Sequence, residues 1–137
     1  MRAATIHESP GKPQLEQIEI TGPFFGEVLV KIAASGICGS DLHVIHGRSN
    51  AARNMPMILG HEGAGVVEEI GPGVTDLARG DHVVIAMFGP CGRCVPCSAG
   101  HMQHCDGPER RSTFGEMPDG TTRLSFGDRP TYPFVGV

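Results

Sequence analysis

The sequence predicts a mainly β fold, either a barrel or a sandwich, and three observations support this prediction. Short apolar runs rich in Val and Ile recur along the 137 residues, each bounded by Gly, Pro or Asp. The chain holds 20 glycines and 11 prolines, which suit the tight corners between short strands. A single segment, residues 39–46, has the pattern of a helix.

The predicted elements follow one another along the chain. Ser40 or Asp41 is the expected N-cap of the helix, because either side chain can accept a backbone N–H bond. Residues 107–130 are polar and rich in turn residues, which indicates a surface excursion with a short strand over residues 124–126. The other predicted strands are residues 3–6, 15–20, 27–34, 63–70 and 81–86.

Composition and charge exclude several classes of function. The formal net charge is −4 and the chain has no Lys/Arg cluster, which argues against a nucleic-acid partner. No apolar run approaches the ~20 residues of a transmembrane helix, and the opening residues lack the apolar stretch of a secretory signal. We therefore expect a soluble, cytoplasmic, single-domain protein with no membrane partner.

Four of the five cysteines are concentrated in one segment, Cys91-x2-Cys94-x2-Cys97-x7-Cys105. Gly92 and Pro96 supply turns that would let the first three thiols surround one ion, and the fourth can fold back to close a tetrahedral cage. The pattern predicts a structural zinc site. Three histidines, His46, His101 and His104, are expected to face solvent, the last two being weaker alternatives to Cys105 as a ligand.

Three other uses of these cysteines compete with zinc. Disulfides would need an oxidising compartment, and the sequence shows no export signal. A thioredoxin-like Cys-x-x-Cys pair would need a helix that begins at the pair, but Gly92 and Pro96 interrupt the segment. An iron–sulfur cluster also uses Cys-x2-Cys-x2-Cys, usually with a different spacing to its fourth ligand, and is the nearest alternative.

A glycine motif at residues 63–68 is not interpreted as a cofactor site. Gly63-x-Gly65 begins like a dinucleotide-binding fingerprint, but Glu68 stands at the third glycine position. The motif also lies inside a predicted strand, whereas a phosphate loop should follow a strand and open a helix. No other segment has a phosphate-cradling pattern.

A second potential metal site lies outside the four-cysteine segment. Cys38 alone would be interpreted as a small buried apolar residue, and His61 alone as an ordinary polar histidine. Together with Glu62 they supply a thiolate, an imidazole and a carboxylate, each close to a glycine that permits a tight turn. This mixed ligand set is typical of an open, catalytic zinc.

Three motifs occur in a fixed order along the chain. They are Cys38-Gly39-Ser40-Asp41-x-His43, then Gly60-His61-Glu62-x-x-Gly65-x5-Gly71-x-x-Val74, then the four-cysteine segment. From Arg2 to at least Cys105 the chain thereby resembles the catalytic domain of zinc-dependent alcohol dehydrogenases in the medium-chain dehydrogenase/reductase family. The resemblance implies a GroES-like, partly open β-barrel over residues 1–137, with short helices and a structural zinc lobe at about residues 88–106. The family's Rossmann domain is absent from this chain.

The resemblance also implies metal ligands. Cys38 and His61 match the first two ligands of the family's catalytic zinc, and Glu62 matches a neighbouring carboxylate that coordinates the metal in some members. The third protein ligand in the family is usually a downstream cysteine, and no cysteine follows Cys105. The catalytic site is therefore expected to be incomplete in this chain.

Three further residues match family positions near the catalytic zinc. Asp41 matches a carboxylate that accepts a hydrogen bond from the zinc-bound imidazole, and Ser40 and His43 match a proton relay. Without the flanking motif, Ser40 and Asp41 would be interpreted as helix caps and His43 as an exposed helix residue.

The activity implied by the resemblance is oxidation of an alcohol to an aldehyde or ketone, with hydride transfer to NAD or NADP. The cofactor would be bound by the absent domain. Residues 119–126 are similar to the thiol-adduct-oxidising class III branch, and full-length family members commonly form homo-oligomers. Met87 and Phe88 could line a substrate pocket, but an apolar pair after a strand is more often core.

The chain ends in the apolar segment of residues 132–137, which indicates a chain cut short. We therefore expect little or no dehydrogenase turnover from this chain alone. A function of another class is a zinc-stabilised binding module, in which the four-cysteine lobe serves interaction and no chemistry occurs. The number of metal ions that the chain holds separates the two.

Overall fold

The computed structural model describes residues 1–50, 53–86, 89–107, 115–117 and 119–134. Within these ranges the chain is mainly β, as predicted, with short helices, and no described helix is long and apolar enough to cross a membrane. Met87 and Phe88 lie outside the described residues. The elements are β1 (Arg2–Ile6), β2 (Gln14–Gln17), β3 (Glu19–Ile20), β4 (Val28–Ser35), α1 (Gly39–Ile45), β5 (Met57–Ile58), β6 (Gly63–Ile70), β7 (His82–Val84), α2 (Val95–Ser98), a 3-10 helix (Met102–His104), β8 (Leu124–Phe126) and β9 (Arg129–Pro133).

The described strands form two sheets. The larger sheet has the strand order β2-β1-β5-β9-β8-β3, and its neighbours are antiparallel except for the parallel pair β5 and β9. The smaller sheet has the order β4-β6-β7 and is antiparallel throughout. The pairing of β4 with β6 shifts register between Leu29 and Val30 and again between Ile32 and Ala34. Bulges of this kind bend a strand and increase its twist.

Several elements differ from the prediction. The expected strand 15–20 is divided into β2 and β3, and Ile18 lies fully buried between them. Strand β5 was not predicted because two residues are too short to show alternation. The expected turn-rich region 107–130, of which residues 108–114 and 118 lie outside the described ranges, ends in β9, which was not predicted because Pro130 and Pro133 favour turns in a sequence. The predicted strand at 124–126 is confirmed.

The glycines of the 63–65 motif are explained by the close approach of β4 and β6. A Cβ atom at Gly65 would lie 2.2 Å from the backbone oxygen of Lys31. Because that atom belongs to a paired strand, it cannot move as the end of a flexible side chain could, and only glycine fits at this position. Gly63 and Gly65 both lie inside β6, as predicted. They therefore serve strand packing and not a phosphate-binding turn.

The start of helix α1 differs from the expected capping. Cys38 is the N-cap, with extended backbone angles of φ −101° and ψ 157°, so the prediction of Ser40 or Asp41 at this position is wrong. Asp41 occupies the third position of the helix, and its Oδ2 accepts the backbone N–H of Cys38 at 3.0 Å. A carboxylate that reaches back in this way satisfies a donor that the helix leaves free.

The core places helix α1 against the larger sheet. Val44 on the helix is 0% exposed and packs into the same cluster as Ile6 of β1. Burial of such a side chain stabilises the fold by about 1.5–3 kcal/mol, which fixes the helix face that carries Asp41. Two clusters make up the described core: Ala3, Ile18, Ile58 and Leu124 in one, and Ile6, Val44, Met57 and Phe134 in the other.

A clamp centred on Arg123 joins distant parts of the chain. Its guanidinium contacts the Glu27 carboxylate at 2.6 Å and the Asp119 carboxylate at 2.7 Å, and it lies 4.7 Å from the centroid of the Phe24 ring. The Arg123 and Glu27 side chains are only 15% and 13% exposed. Hydrogen bonding to Arg123 lowers the pKa of Glu27 below its usual range, and bonds to Thr121 and Arg123 lower the pKa of Asp119.

Replacing Arg123 by methionine should destabilise the chain by about 2 kcal/mol near pH 7, because Glu27 would be left half-buried without its charge partner. A depressed carboxylate pKa adds stability above the unfolded value of about 4.5 and loses it as the pH falls. The difference between wild type and Arg123→Met should therefore shrink below pH 4.5 in urea unfolding. Arg129→Met, at an exposed position, is the control, and a pH-independent difference would contradict the clamp.

Candidate metal centres

The four cysteines of the cysteine lobe, residues 89–106, converge on one point. Cys94 is the N-cap of α2, Cys97 lies buried in that helix, and Cys105 lies buried just after the 3-10 helix. Their sulfur atoms and that of Cys91 all lie within 4.8 Å of one another, and the Sγ atoms of Cys94 and Cys105 are 3.9 Å apart. Zinc–sulfur bonds of about 2.3 Å give a tetrahedral edge of about 3.8 Å, so the four thiols fit a zinc ion.

Backbone donors favour the thiolate form of part of this cluster. The N–H of Cys91 donates to Cys105 Sγ and the N–H of Cys94 donates to Cys91 Sγ, both at 3.3 Å. Backbone bonds from Arg93 and Cys94 lower the pKa of Cys91, and backbone bonds from Cys91 and Gly107 lower that of Cys105. Burial raises the pKa of Cys97 to about 12, so a bound cation is needed to hold all four as thiolates.

Two details of the lobe differ from the sequence-based reasoning. Pro96 does not form a turn but lies at the start of α2, where its fixed φ suits a helix. A short helix therefore does begin at the Cys94–Cys97 pair, and the argument that the segment is interrupted was wrong. Cys91 and Cys105 complete the sulfur cluster, which favours a metal over a redox pair, and no disulfide joins any of the five cysteines, all of which lie in the described ranges. His46, His101 and His104 are exposed, as expected.

The second group of predicted ligands also comes together. The ligand atoms of Cys38, His61 and Glu62 lie within 4.8 Å of one another. Cys38 is held at the start of α1, while the other two follow Gly60, whose φ of +105° is a conformation that favours glycine. Thiolate, imidazole and carboxylate at this spacing fit three positions of a zinc ion and leave a fourth open.

His61 is oriented by groups on both sides of its ring. Its Nε2 lies 3.0 Å from Ser40 Oγ, and its Nδ1 lies 3.4 Å from Asp41 Oδ1. Nδ1 is buried and makes no well-aligned hydrogen bond in the described residues, although the Asp41 carboxylate lies beside it. With Nδ1 buried beside this carboxylate, Nε2 is the nitrogen better suited to bind a metal.

Asp41 is a buried carboxylate with three neighbours. It is 5% exposed, and besides His61 it accepts the N–H of Cys38 on Oδ2 and the N–H of Gly60 on Oδ1, both at 3.0 Å. Nothing in the sequence indicated the bond from Gly60, because the two residues are 19 positions apart and no local pattern links them. One side chain thus joins the helix start and the turn before β6 and lies beside the candidate metal ligand His61.

Ser40 lies beside His61, whereas His43 lies outside the group of predicted ligands. Hydrogen bonds to the side chain and to the backbone of Ser40 lower the pKa of the Cys38 thiol, and the bond to the side chain has the larger effect. Cys38 is therefore disposed to act as a thiolate ligand. His43 is exposed in the last turn of α1 and lies outside the cluster of Cys38, His61 and Glu62.

A substitution at Gly36 offers a way to displace the Glu62 carboxylate. A Cβ atom at Gly36 would lie 2.2 Å from Oε2 of Glu62, the far end of a flexible side chain. Gly36→Ala should therefore displace the carboxylate and lower zinc affinity at this site by about tenfold, with little change in melting temperature. Isothermal titration with zinc checks this, with Gly39→Ala as the control, since its Cβ would meet nothing within 4 Å. Equal affinity in both variants would show that Glu62 does not contribute.

Comparison with known proteins identifies the family. The protein family described as "Alcohol dehydrogenase GroES-like domain" matches residues 25–129, which is well over half of the chain. The chain belongs to this family. The alcohol dehydrogenase GroES-like fold of the chain and the resemblance seen in its motifs are thereby confirmed.

Individual relatives agree with this assignment. The chain is 40% identical over 134 residues to the S-(hydroxymethyl)glutathione dehydrogenase of Escherichia coli O1:K1, covering 97% of the chain and 36% of that protein. An alcohol dehydrogenase zinc-binding domain protein from Burkholderia ambifaria superposes with a TM-score of 0.82 at 36% identity, over 98% of the chain and 36% of its own. The cobalt- and zinc-bound thermostable alcohol dehydrogenase of Pyrobaculum aerophilum superposes with a TM-score of 0.68 at 41% identity, over 77% of the chain and 32% of its own. This alcohol dehydrogenase GroES-like domain thus spans about a third of its relatives' length.

Proposed function

We propose that the chain is the catalytic-domain portion of a zinc-dependent alcohol dehydrogenase. It would take part in oxidising an alcohol to an aldehyde or ketone, with hydride transfer to NAD or NADP held by sequence that this chain does not contain. The observation that carries the proposal is the convergence of Cys38, His61 and Glu62 within 4.8 Å. A binding module would have no need of a second ligand set with an open position.

Each residue of the site has a role in this proposal. Zinc held there would act as a Lewis acid on the alcohol oxygen and lower its pKa. Cys38, His61 and Glu62 would hold the ion, while the Asp41 carboxylate beside Nδ1 of His61 would favour the tautomer with the proton on that nitrogen.

Ser40 would receive the alcohol proton in this proposal. Its Oγ lies 3.0 Å from Nε2 of His61, at the side of the ring where the metal would bind. A serine hydroxyl is too weak a base to keep a proton at neutral pH and must pass it on. His43, exposed on the same helix, would be the next acceptor, and this step needs a bridging group such as the cofactor ribose.

The cysteine lobe would hold a structural zinc that takes no part in the reaction, because four thiolates leave no position for a substrate. The substrate would be a small alcohol, and S-(hydroxymethyl)glutathione is the first to test, given the 40% identity to an enzyme of that name. Full-length protein would be expected to form a homo-oligomer in the cytoplasm. The chain alone should show little or no alcohol-dependent formation of NADH.

Metal content tests the proposal. Wild type should bind about two zinc ions per chain and Cys38→Ser about one, measured by mass spectrometry and by titration with a chelator. Ser35→Ala, whose hydroxyl bonds only weakly to Gly36 O at 3.4 Å, is the matched control. Unchanged zinc content and affinity in Cys38→Ser would overturn the catalytic-site proposal.

A zinc-stabilised binding module is the second candidate function. The lobe exposes two apolar side chains, since Val95 is 83% and Met102 is 53% exposed. Exposed apolar side chains on a metal-braced lobe are suited to contact with another protein surface. About one zinc ion per chain in both wild type and Cys38→Ser would favour this candidate.

A further inference from the structure

Phe134 lies at the back of the second metal site, far from the other site residues in the sequence. Its ring packs against the imidazole of His61 with the centroids 4.9 Å apart and the planes at 89°. Both residues are buried, Phe134 at 6% and His61 at 3% exposure. This perpendicular arrangement is a favourable geometry for two aromatic rings, beyond the apolar area that it buries.

The two polar neighbours of His61 restrain rotation of its ring only weakly. Ser40 Oγ lies 3.0 Å from Nε2, the nitrogen that would bind the metal, and Asp41 Oδ1 lies 3.4 Å from Nδ1. The final side-chain torsion of histidine is a broad, soft rotor, and a contact of 3.4 Å at Nδ1 is too long to hold it alone. A ring packed perpendicular to the imidazole opposes the swing about this torsion.

Phe134 is itself firmly placed. Its backbone N–H donates to the carbonyl oxygen of Ile58 at 2.8 Å, which continues the pairing of β9 with β5. Its side chain belongs to the core cluster of Ile6, Val44 and Met57. The position of the ring is therefore set by the core and not by the metal site.

We propose that Phe134 is a positioning residue for the metal ligand His61, acting through its ring to hold Nε2 toward the site. The inference rests on the proposed function, since it presumes a metal at Cys38, His61 and Glu62. Phe134 does not touch the metal in this proposal. It lowers the loss of ring freedom when Nε2 binds, so its effect is on metal affinity and on the geometry of the bound ion.

The test distinguishes the loss of the Phe134 aromatic ring from a change in side-chain volume. Phe134→Met keeps an apolar side chain that adapts to the same space but removes the ring. Met57→Leu makes a comparable volume-conserving change in the same cluster and leaves Phe134 in place. Both variants, wild type and Cys38→Ser are loaded with zinc at the lobe and titrated with Co²⁺, whose d–d spectrum reports the geometry of the second site.

The expected result is a two- to tenfold weaker Co²⁺ affinity and an altered d–d spectrum in Phe134→Met, about the size of one aromatic pair. Met57→Leu should match wild type, and lobe zinc should be unchanged in both. Equal affinities and spectra in Phe134→Met and Met57→Leu would overturn the positioning role alone. If Cys38→Ser binds Co²⁺ like wild type, the proposed metal site fails and the inference fails with it.

If Phe134→Met does not fold, a measurement on wild type tests the same contact. Protons of the His61 ring beside a perpendicular phenyl ring should show a ring-current shift in the NMR spectrum of wild type. A spectrum with random-coil shifts for these protons would contradict the contact. A shifted and sharp signal supports it, because a freely swinging ring would average the shift.

Discussion

Replacing Cys97 by serine is expected to release the zinc of the cysteine lobe and to unfold the lobe, while the two apolar clusters stay folded. Structural zinc sites contribute apparent binding energies of about 10–16 kcal/mol, so the ion dominates a segment of this size. The lobe has two short helices of four and three residues, which cannot persist alone in water. The core clusters contain no residue of the lobe.

The measurements for Cys97→Ser are zinc content and hydrogen exchange. We expect a loss of about one zinc ion per chain and of protection at the backbone amides of Ser98, Gly100 and Cys105, each bonded within the lobe. Protection in β6 should remain. Val95→Ala, at an exposed position of the same helix, is the control. Full zinc content with unchanged protection would contradict a four-thiolate site.

Replacing Asp41 by asparagine is expected to damage stability and metal binding together. Each carboxylate oxygen accepts one backbone N–H, from Cys38 and from Gly60. Asparagine has one acceptor oxygen, so its amide group would face one of these donors and leave it unsatisfied. A buried unsatisfied donor costs about 1–3 kcal/mol. Loss of the carboxylate behind His61 should also weaken zinc binding at the second site by about 10- to 100-fold.

Two measurements separate these effects of Asp41→Asn. Urea unfolding of the zinc-free chain gives the loss of stability, and zinc titration below the unfolding transition gives the loss of affinity. Asp76→Asn removes a carboxylate from an exposed turn and should change neither quantity. A loss of stability with unchanged affinity would show that Asp41 serves the backbone alone.

The sequence predicted the parts of the molecule that carry a local signal. Strand β6 was predicted at its observed bounds because a run of eight residues that includes Val66, Val67 and Ile70 is long enough to show a pattern. The four lobe cysteines were predicted as one cluster because their spacing is short. Cys38, His61 and Glu62 were predicted as a second cluster from their residue types and the motifs around them.

Other features depend on contacts between distant segments and left no such signal. Strand β5 has two residues and owes its existence to β1 and β9 on either side. Phe134 reaches His61 across 73 residues, and an aromatic residue near Pro133 gives no indication of this partner. The N-cap was misplaced because Ser40 and Asp41 are both common caps, and only the folded turn shows that Asp41 reaches back from the third position.

The double attachment of Asp41 bears on the order in which the two ions would be acquired. Because this carboxylate joins the helix start to the turn before β6, folding of the apolar core already brings Cys38 and His61 together. Metal uptake there would need no refolding and should be fast and limited by access from solvent. The cysteine lobe must instead order around its ion, so its loading should be slower and coupled to folding. Stopped-flow mixing with zinc would then show two phases, and Cys38→Ser should remove the faster one.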